Sequence, residues 1–232
     1  MTGRYELRGH ADAGVLGPGI RTYKPRRSRI TQRQLLALSE VRWRLEPGDQ
    51  EIDLASVWGA DVPVILEIGF GTGAATAQMA AAEPRSGILA LDIHTPGVGN
   101  LLDLIAGTGI TNVRVMEADA LTVLKRMIPV GALAGVRSYF PDPWPKARHH
   151  KRRIIQRPVL ELVASRMRPG GCWHVATDWD AYVVAIEETF AAQPGWTGGR
   201  IERPAWRPVT HYEERALREG RAITDLMFCT RA

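Results

Sequence analysis

The chain has 232 residues, of which 45% are hydrophobic and 24% are charged, and its formal net charge is +5. This length is enough for one α/β domain with a large apolar core, or for two small domains at most. No apolar run is long enough to cross a membrane, and no apolar segment follows the N-terminal charges. We therefore expect neither a membrane protein nor a secretory signal peptide.

Most of the positive charge lies at the N-terminus. Residues 1–30 hold seven lysines and arginines and two acidic residues, whereas the other residues have no net charge. A basic arm of this kind indicates a polyanionic partner, although a solvated, disordered tail explains it equally well. We predict a flexible basic arm over residues 1–30 and a single domain over residues 31–232.

Short elements follow the arm. Residues 1–23 show no sustained period and are expected to be disordered or loosely attached. Thr31 is placed to cap a short helix that runs from Gln32 to Leu38. Residues 46–61 are predicted to form a linker and lid segment, because they begin with a turn-forming Pro-Gly-Asp sequence.

Beyond residue 63, apolar runs alternate with helical stretches. The runs predicted as strands are Val64–Ile68, Gly87–Leu91, Val113–Met116, Gly135–Phe140 and Cys172–Ala176. The stretches predicted as helices are Thr76–Ala82, Val98–Ala106, Ala120–Met127, Arg157–Met167 and Asp180–Gln193. A last apolar stretch, Asp225–Thr230, is predicted as an antiparallel strand. This alternation indicates an α/β fold with a mostly parallel sheet and helices on both faces.

The first predicted strand runs into three glycines at alternate positions. Gly69, Gly71 and Gly73 follow Val64–Ile68, and a helix-prone stretch comes after them. Strand, glycine turn and helix form the nucleotide-binding unit of open α/β sheets, since glycine allows the tight turn and a close approach to the ligand. Because Gly69-x-Gly71-x-x-Ala74 also matches the dinucleotide fingerprint, a nicotinamide-dependent oxidoreductase is one alternative.

An acidic residue stands at or just after the end of each predicted parallel strand. These residues are Glu67, Asp92, Asp119, Asp142 and Asp178. The carboxyl ends of parallel strands lie along one edge of the sheet, where ligands bind in open α/β folds. A cationic ligand rich in hydrogen-bond donors relieves the repulsion among clustered carboxylates. The row therefore suits a cationic sulfonium cofactor with an amine, ribose hydroxyls and an adenine amino group, and it suits a pyrophosphate poorly.

Three of these acids have predicted roles toward such a cofactor. Asp92 lies 23 residues after Gly69, about where a ribose-binding acid is expected. Asp119 is placed to accept a hydrogen bond from an exocyclic amine, and Glu67 is placed near the methionine part of the ligand. Asp180 has a different predicted role, as the cap of the helix that follows it.

Cysteines and histidines do not indicate a metal site. Cys172 and Cys229 each lie in an apolar, strand-like stretch, and buried free thiols in a reducing compartment are expected there. His149 and His150 are adjacent, but no cysteine or acid nearby completes a set of ligands. We predict that the protein binds no metal.

Several sequence blocks resemble one enzyme family. Glu67-x-Gly69-x-Gly71-x-Gly73 resembles the cofactor loop of class I S-adenosylmethionine methyltransferases. The segment Phe140–Arg153, FPDPWPKARHHKRR, is far more specific and resembles the signature of bacterial single-chain tRNA (guanine-N7-)-methyltransferases. The blocks that resemble the same family elsewhere are His94–Gly99, Ala176–Asp178 and Arg207–Arg215. The resemblance covers roughly residues 60–230, nearly the whole of the predicted domain.

The resemblance implies a Rossmann-like class I methyltransferase fold with a seven-stranded, mostly parallel sheet. It implies methyl transfer from S-adenosylmethionine to guanine N7 in the tRNA variable loop, with Asp142 as the central active-site acid. The cofactor residues implied by matching positions are Glu67, Gly69, Gly71, Asp92, Asp119 and Asp142. The implied substrate contacts are Lys146, Asp178, Thr210, His211, Tyr212 and Glu213. Asp92 departs from the glutamate that is frequent in the family, so its reach to the ribose is one methylene shorter.

The chemistry agrees with these residues. Guanine N7 has an in-plane lone pair and no proton to lose, so alignment matters more than a strong base. Asp142 can accept hydrogen bonds from guanine N1–H and the amino group, and the flanking prolines limit where its carboxylate points. Residues 146–157 carry six lysines and arginines and no acid, which favours phosphate contact. Trp144 stacks on a base or packs internally, and the sequence favours neither.

These observations lead to a set of expectations about partners. The partner is tRNA, the location is cytoplasmic, and the protein is a monomer or a homodimer. A non-catalytic RNA-binding module is a further alternative, but it leaves the row of strand-end acids without a purpose.

Overall fold

A seven-stranded sheet forms the centre of the computed structural model, which describes residues 14–24 and 29–231. The strands are β1 (Val64–Ile68), β2 (Gly87–Asp92), β3 (Val113–Glu117), β4 (Leu133–Tyr139), β5 (Met167–Thr177), β6 (Trp196–Ile201) and β7 (Thr224–Thr230). Their order is β3-β2-β1-β4-β5-β7-β6. Strand β7 pairs antiparallel with β5 and β6, and the other neighbours pair parallel. The mostly parallel sheet and the antiparallel last strand are as the sequence predicts.

The helices connect these strands. They are α1 (Gln32–Ala37), α2 (Leu54–Trp58), α3 (Ala74–Ala82), α4 (Thr95–Thr108), α5 (Ala120–Arg126), α6 (Arg157–Arg166), α7 (Asp180–Ala191) and α8 (His211–Arg218). The sequence misses α2, β6 and α8. Strand β6 contains two glycines in six residues, and α8 has only eight residues, most of them polar, so neither shows a sustained apolar run. Among the described residues, no helix is long and apolar enough to cross a lipid bilayer.

The two faces of the sheet differ in chemistry. One face packs against α5, α6 and α7 in an apolar core around Trp173 and Phe190. The other face is apolar over β2 and β3, where it packs against α1, α3 and α4. Over β1, β4, β5 and β7 this second face carries buried polar side chains. We call them the polar layer, and they are Glu67, Arg137, Tyr139, His174 and Asp225.

Of the two predicted helix caps, one is confirmed and one is wrong. Thr31 accepts a hydrogen bond from the Gln34 amide at 3.2 Å, and the Gln34 side chain accepts one from the Thr31 amide at 2.9 Å. Helix α7 instead has Trp179 as its N-cap, and Asp180 is its first helical residue. An acid in the first turn still interacts favourably with the helix dipole, which explains the misleading sequence signal.

The prediction that residues 46–61 form a lid is wrong. The Ile52 amide donates to the Met127 carbonyl at 2.8 Å, and the Trp58 indole donates to the Asn112 carbonyl at 3.0 Å. The Trp58 ring also lies against Gly87, where β2 begins. This segment therefore covers the amino ends of β2 and β3, at the edge of the sheet opposite to the predicted site.

The prediction of free thiols is also wrong. Cys172 and Cys229 form a disulfide, and they lie directly opposite each other in the antiparallel pair of β5 and β7. A separation of 57 residues conceals this pairing in the sequence. Only the register of β5 on β7 brings the two sulfur atoms together.

Candidate functional site

Two adjacent cavities open at the carboxyl edge of the sheet. The first has a volume of about 150 Å³. The residues predicted to bind the cofactor that line it are Gly69, Gly71, Asp92, Asp119 and Asp142. Three of the five strand-end acids are thus brought together around one space.

The second cavity has a volume of about 230 Å³ and lies between the glycine loop and the start of α8. Its lining includes Glu67, Thr210, His211 and Tyr212. Four residues line both cavities, and we call them the shared wall: Gly69, Tyr139, Phe140 and Tyr212. The predicted cofactor residues and part of the predicted substrate segment therefore meet at this wall.

Asp92 organises the glycine loop. Its Oδ2 accepts a hydrogen bond from the Gly71 amide at 2.8 Å, and its Oδ1 accepts from the amides of Ile93 and His94 at 2.7 and 2.9 Å. Burial raises the pKa of Asp92, and these three amides oppose that rise. The carboxylate thus fixes the loop that borders the cavity, in addition to any contact with a ribose.

Helix α4 presses against the same loop through Gly97. A Cβ added to Gly97 would lie 2.1 Å from the Gly71 carbonyl oxygen, much closer than any real contact. The absence of a side chain at this position lets the start of α4 touch the loop. This contact places the block His94–Gly99 directly beside the glycine loop.

We expect Gly97→Ala to displace the loop and to weaken binding of the predicted cofactor, S-adenosylmethionine. Overpacking of this kind destabilises a fold by about 1–3 kcal/mol. Calorimetric titration and thermal melting measure the two effects. The matched control is Gly107→Ala in the same helix, where an added Cβ meets no atom within 4 Å. Equal affinities in the two variants would contradict the role of Gly97.

Asp119 lies at the start of α5, directly after β3. Its Oδ2 accepts hydrogen bonds from the Thr122 amide at 3.0 Å and from the Thr122 hydroxyl at 2.9 Å. This capping contact holds the carboxylate at the rim of the first cavity. Its predicted bond to an adenine amine stays a prediction.

The loop that carries Asp142 has a constrained backbone. Phe140 and Trp144, on either side of it, have φ angles of 52° and 46°, which are left-handed values that cost non-glycine residues free energy. The Phe140 amide donates to the Ala176 carbonyl at 2.7 Å, and Arg153 Nε donates to the Pro143 carbonyl at 2.8 Å. Asp142 therefore sits in a loop held in one conformation from both sides.

Trp144 packs internally rather than presenting its ring to solvent. Only 3% of it is exposed, and its indole donates to the Thr22 carbonyl at 3.2 Å. The cations of Lys24 and Arg152 lie 4.8 and 5.0 Å from the ring centroid. Of the two alternatives for Trp144, the structure shows packing.

Part of the predicted N-terminal arm lies against the site. Residues 22–24 line the first cavity, and the aliphatic side chains of Val15 and Leu16 pack against the main core. This segment thus contacts the domain, and the flexibility predicted for the arm over residues 1–30 stays a prediction. The rest of the arm, at 1–13 and 25–28, lies outside the described residues. The basic composition of the arm hides this contact at the level of sequence.

Glu67 is a buried acid at the second cavity. It is 3% exposed, and within the described part of the chain its Oε2 has no hydrogen-bond partner. Burial raises the pKa of Glu67 to about 7, although the positive charge of Arg137 and the nearby Thr76 hydroxyl oppose the rise. A buried carboxyl with an unpaired oxygen is suited to bind a cation or a donor that enters the cavity.

The predicted substrate residues divide into two groups. Thr210, His211 and Tyr212 line the second cavity, and the Thr210 hydroxyl also caps α8 by accepting from the Glu213 amide at 3.1 Å. Lys146, Asp178 and Glu213 are not among the described residues that line either cavity.

The members of the second group differ in their surroundings. Asp178 Oδ2 pairs with Arg221 at 2.7 Å, and Glu213 Oε2 pairs with Arg207 at 2.6 Å. Lys146 is exposed beside the Ala147–Arg152 turn of 3₁₀ helix. The substrate contacts predicted for these three residues stay predictions.

No group of three or more histidine, cysteine, aspartate or glutamate side chains suited to a metal ion occurs in the described ranges. The shared wall also contains Tyr139 and Phe140, which are not among the predicted site residues, although Phe140 begins the block Phe140–Arg153. The sequence signal that points to these two residues is their position at the end of a predicted strand, directly before Pro141-Asp142-Pro143.

Comparison with known proteins decides the family. Residues 61–226 match a family model described as putative methyltransferase. The tRNA (guanine-N(7)-)-methyltransferase of Streptomyces avermitilis is 48% identical over 216 residues, which are 90% of this chain and 74% of that protein. The chain belongs to the tRNA (guanine-N7-)-methyltransferase family. The member of this family from Bordetella pertussis is 44% identical over 224 residues, 94% of this chain and 88% of that protein.

Solved structures confirm the fold. The 16S rRNA methyltransferase KamB matches with a TM-score of 0.58 at 17% identity, over 79% of this chain and 95% of that one. TrmN from Thermus thermophilus matches with a TM-score of 0.50 at 15% identity, over 74% of this chain and 45% of that one. At these identities the likeness concerns the fold alone, and it confirms the predicted class I methyltransferase architecture for this member of the family.

Proposed function

We propose that this enzyme transfers a methyl group from S-adenosylmethionine to N7 of a guanine in the tRNA variable loop. The observation that carries the proposal is the 48% identity to a tRNA (guanine-N(7)-)-methyltransferase over 216 residues, 90% of this chain. The nicotinamide and non-catalytic alternatives have no comparable support, and we set them aside.

The first cavity and the shared wall fit S-adenosylmethionine. Asp92 and Asp119 offer carboxylates to a ribose and to an adenine amine along the rim of the first cavity. Glu67 offers a buried, unpaired oxygen to an ammonium group on the far side of Gly69. These three carboxylates attract cations and hydrogen-bond donors. Each of them would repel a pyrophosphate.

The residues of the site position the reaction rather than supply a base. When bound, S-adenosylmethionine supplies an electrophilic methyl group. Asp142 accepts hydrogen bonds from the Watson–Crick edge of guanine, which turns N7 in the opposite direction. The negative charge of Asp142 also stabilises the positive charge that the ring acquires on methylation. The aromatic rings of the shared wall, Phe140 and Tyr212, border both cavities and would exclude water from the reacting atoms.

The test is direct. The purified protein is incubated with unmodified tRNA and S-adenosylmethionine, and the digested RNA is examined for 7-methylguanosine by mass spectrometry. We expect 7-methylguanosine at a single position of the variable loop. A tRNA whose variable-loop guanine is replaced by adenine is the matched control. Absence of the modified base from the guanine-containing tRNA would refute the proposal.

Protonation of Glu67 gives a pH-dependent prediction. Because the pKa of Glu67 is about 7 without ligand, and a bound ammonium stabilises only the ionised carboxylate, binding releases a proton. Affinity for S-adenosylmethionine should therefore be constant above about pH 7 and fall below it, by at most about tenfold per pH unit. Titrations between pH 5.5 and 8 measure this slope. Glu67→Gln should bind more weakly and show a flatter profile, and an unchanged profile would assign the proton to another group.

Basic residues supply the proposed tRNA interface. Lys146, Arg148 and Lys151 are exposed next to the Asp142 loop. Arg153 is buried and holds the Pro143 carbonyl, and Arg157 pairs with Glu161 at 2.8 Å, so these two are less suited to phosphate contact than the sequence predicts. The interface therefore rests on the exposed part of the segment and on the basic arm.

The arm contribution is tested by salt dependence. We expect Arg26→Gln combined with Arg27→Gln to weaken tRNA binding and to reduce the slope of log affinity against log salt by about 1.4–1.8, since each phosphate contact contributes about 0.7–0.9. Fluorescence titration across a salt series measures this slope. Arg200→Gln is the control, because that side chain is already paired with Glu187 at 2.8 Å. An identical slope in the double variant would leave the arm as a passive tail.

Further parts of the proposal concern cofactor and setting. We propose that the reaction uses no metal, because N7 methylation needs neither a Lewis acid nor an activated water. We place the enzyme in the cytoplasm together with its tRNA, as a monomer or a homodimer. Gel filtration with light scattering separates these two assemblies.

A further inference from the structure

A continuous chain of hydrogen bonds runs through the polar layer and beyond it. Tyr139 Oη lies 3.0 Å from His174 Nδ1, and His174 Nε2 lies 2.7 Å from Asp225 Oδ1. Arg207 donates to both Asp225 oxygens, at 2.7 and 2.8 Å, and to Glu213 Oε2 at 2.6 Å. This chain, which we call the buried chain, joins β4, β5 and β7 to the loop before α8 and to α8 itself.

Charge pairing rather than solvent stabilises the buried chain. The Arg207 side chain is 0% exposed, and those of Asp225 and Glu213 are nearly as buried. Burial by itself would lower the pKa of Arg207, but its hydrogen bonds to Glu213 and Asp225 raise it. Removing one member of such a group leaves an uncompensated charge in the interior, so the members act as a unit.

The direction of the bonds follows from the carboxylate. Ionised Asp225 only accepts hydrogen bonds, so His174 donates from Nε2. With a neutral imidazole, Nδ1 then accepts from the Tyr139 hydroxyl, and the orientation of that hydroxyl is fixed. Asp225 therefore controls a group that lies two side chains away.

One end of the buried chain lies in the shared wall, and the other end is next to it in sequence. Tyr139 is a member of the wall, and Glu213 is the neighbour of another member, Tyr212. The stretch 202–210 contains neither helix nor strand, so Arg207 anchors the start of α8 across an irregular segment. The ring of Tyr212 is closely placed, since it stacks with Phe140 at a centroid distance of 6.4 Å and would lie 3.1 Å from a Cβ on Gly71.

We propose that His174 and Asp225 are positioning residues that hold Tyr139 and Tyr212 in the places in the shared wall that methyl transfer requires. They act through Tyr139 and Arg207 and do not themselves contact the cofactor or the base. The inference rests on the proposed function, because the shared wall borders both cavities of the proposed active site.

Two variants interrupt the buried chain at different places. Asp225→Asn presents an amide to Arg207 and removes the central charge, whereas Tyr139→Phe removes only the terminal hydroxyl and keeps the ring. The matched control is Asn112→Ala, which removes three hydrogen bonds to the carbonyls of Ala80, Glu83 and Ser86 at the opposite edge of the sheet. The control is expected to lower the melting temperature without affecting the wall.

The first measurement is the single-turnover rate at saturating tRNA and S-adenosylmethionine. We expect both variants to lose about tenfold or more, because small displacements of reacting groups have large effects on rate. Affinity for S-adenosylmethionine should stay within about threefold of wild type, and the double variant should be no slower than Asp225→Asn, as for residues that act as a unit. Rates within twofold of wild type, or a comparable loss in Asn112→Ala, would overturn the proposal.

The second measurement does not depend on activity. Hydrogen exchange of the Glu213 and Glu214 amides, which bond to Thr210, reports the start of α8. Asp225→Asn should lower their protection about tenfold, which corresponds to one charged hydrogen bond. Unchanged protection would refute the proposal even in an active enzyme. If wild type forms no 7-methylguanosine, the proposed function fails, while the exchange result still decides whether the buried chain positions α8.

Discussion

Asp142→Asn is expected to fold normally and to lose most of its turnover, on the order of 100-fold, if its electrostatic contribution resembles that of other preorganised sites. Asparagine has nearly the same shape as aspartate, but its side chain presents one acceptor oxygen and one donor NH₂ group. The amide would face a donor of guanine, and the charge that offsets the methylated ring would be absent. Because the loop is held between Phe140 and Trp144 by contacts that do not involve Asp142, its conformation should survive the substitution.

The measurement is the single-turnover rate at saturating S-adenosylmethionine, since the affinity for the cofactor is expected to fall somewhat. Binding of tRNA should change much less, because phosphate contacts supply most of the affinity. Asp49→Asn, which alters an exposed ion pair with Arg126, is the control for loss of one carboxylate. If Asp142→Asn methylates within a few-fold of wild type, Asp142 is only a structural part of its loop.

Removal of the disulfide is expected to have the largest effect on stability. Cys172→Ser combined with Cys229→Ser opens a loop of 57 residues, for which chain entropy predicts a loss of about 4 kcal/mol in the free energy of unfolding. For a protein of this size the melting temperature should fall by roughly 8–16 °C. Thermal and urea unfolding of the oxidised protein and the double variant measure this difference.

Reduction of the wild-type protein is the internal control. A thiol reductant should lower the midpoint of wild type toward that of the double variant and leave the double variant unchanged. Cys172 is opposite Gly135 near the beginning of β4, far along the strands from the carboxyl edge, so methylation should be retained at temperatures well below any thermal transition. Equal midpoints with and without reductant would show that the bond contributes nothing. A reducing cytoplasm would open it, so stability in the cell would then be lower than in oxidised, purified protein.

The sequence predicts features that depend on local order along the chain. The strand-end acids Asp92, Asp119 and Asp142 meet around one cavity because parallel strands deliver their carboxyl ends to the same edge. The glycine loop, the class of sheet and the antiparallel β7 follow from equally local signals. These predictions depend only on the spacing of the glycines and on the alternation of apolar runs with helical stretches, which are both visible along the sequence.

Features that depend on register or on long-range packing are not visible in the sequence. The disulfide and the contact of His174 with Asp225 both need the alignment of β5 with β7. Glu213 belongs to a block that predicts substrate contacts, and its pairing with the buried Arg207 is not visible in the sequence. Residues 46–61 have the composition of a loop, yet Trp58 attaches them to the far edge of the sheet. In each case a single contact between distant residues decides the outcome.

The left-handed backbone at Phe140 and Trp144 has a consequence for thermal inactivation. Two such residues together store about 2–4 kcal/mol, which is a large share of the 5–15 kcal/mol that ordinarily separates a folded protein from its unfolded chain. Local opening of the loop relieves this backbone strain. Opening of the apolar core around Trp173 and Phe190 relieves none. The loop is therefore expected to open in a separate, earlier step of heating. Methylation should then cease at temperatures where the sheet is still intact, and it should return on cooling.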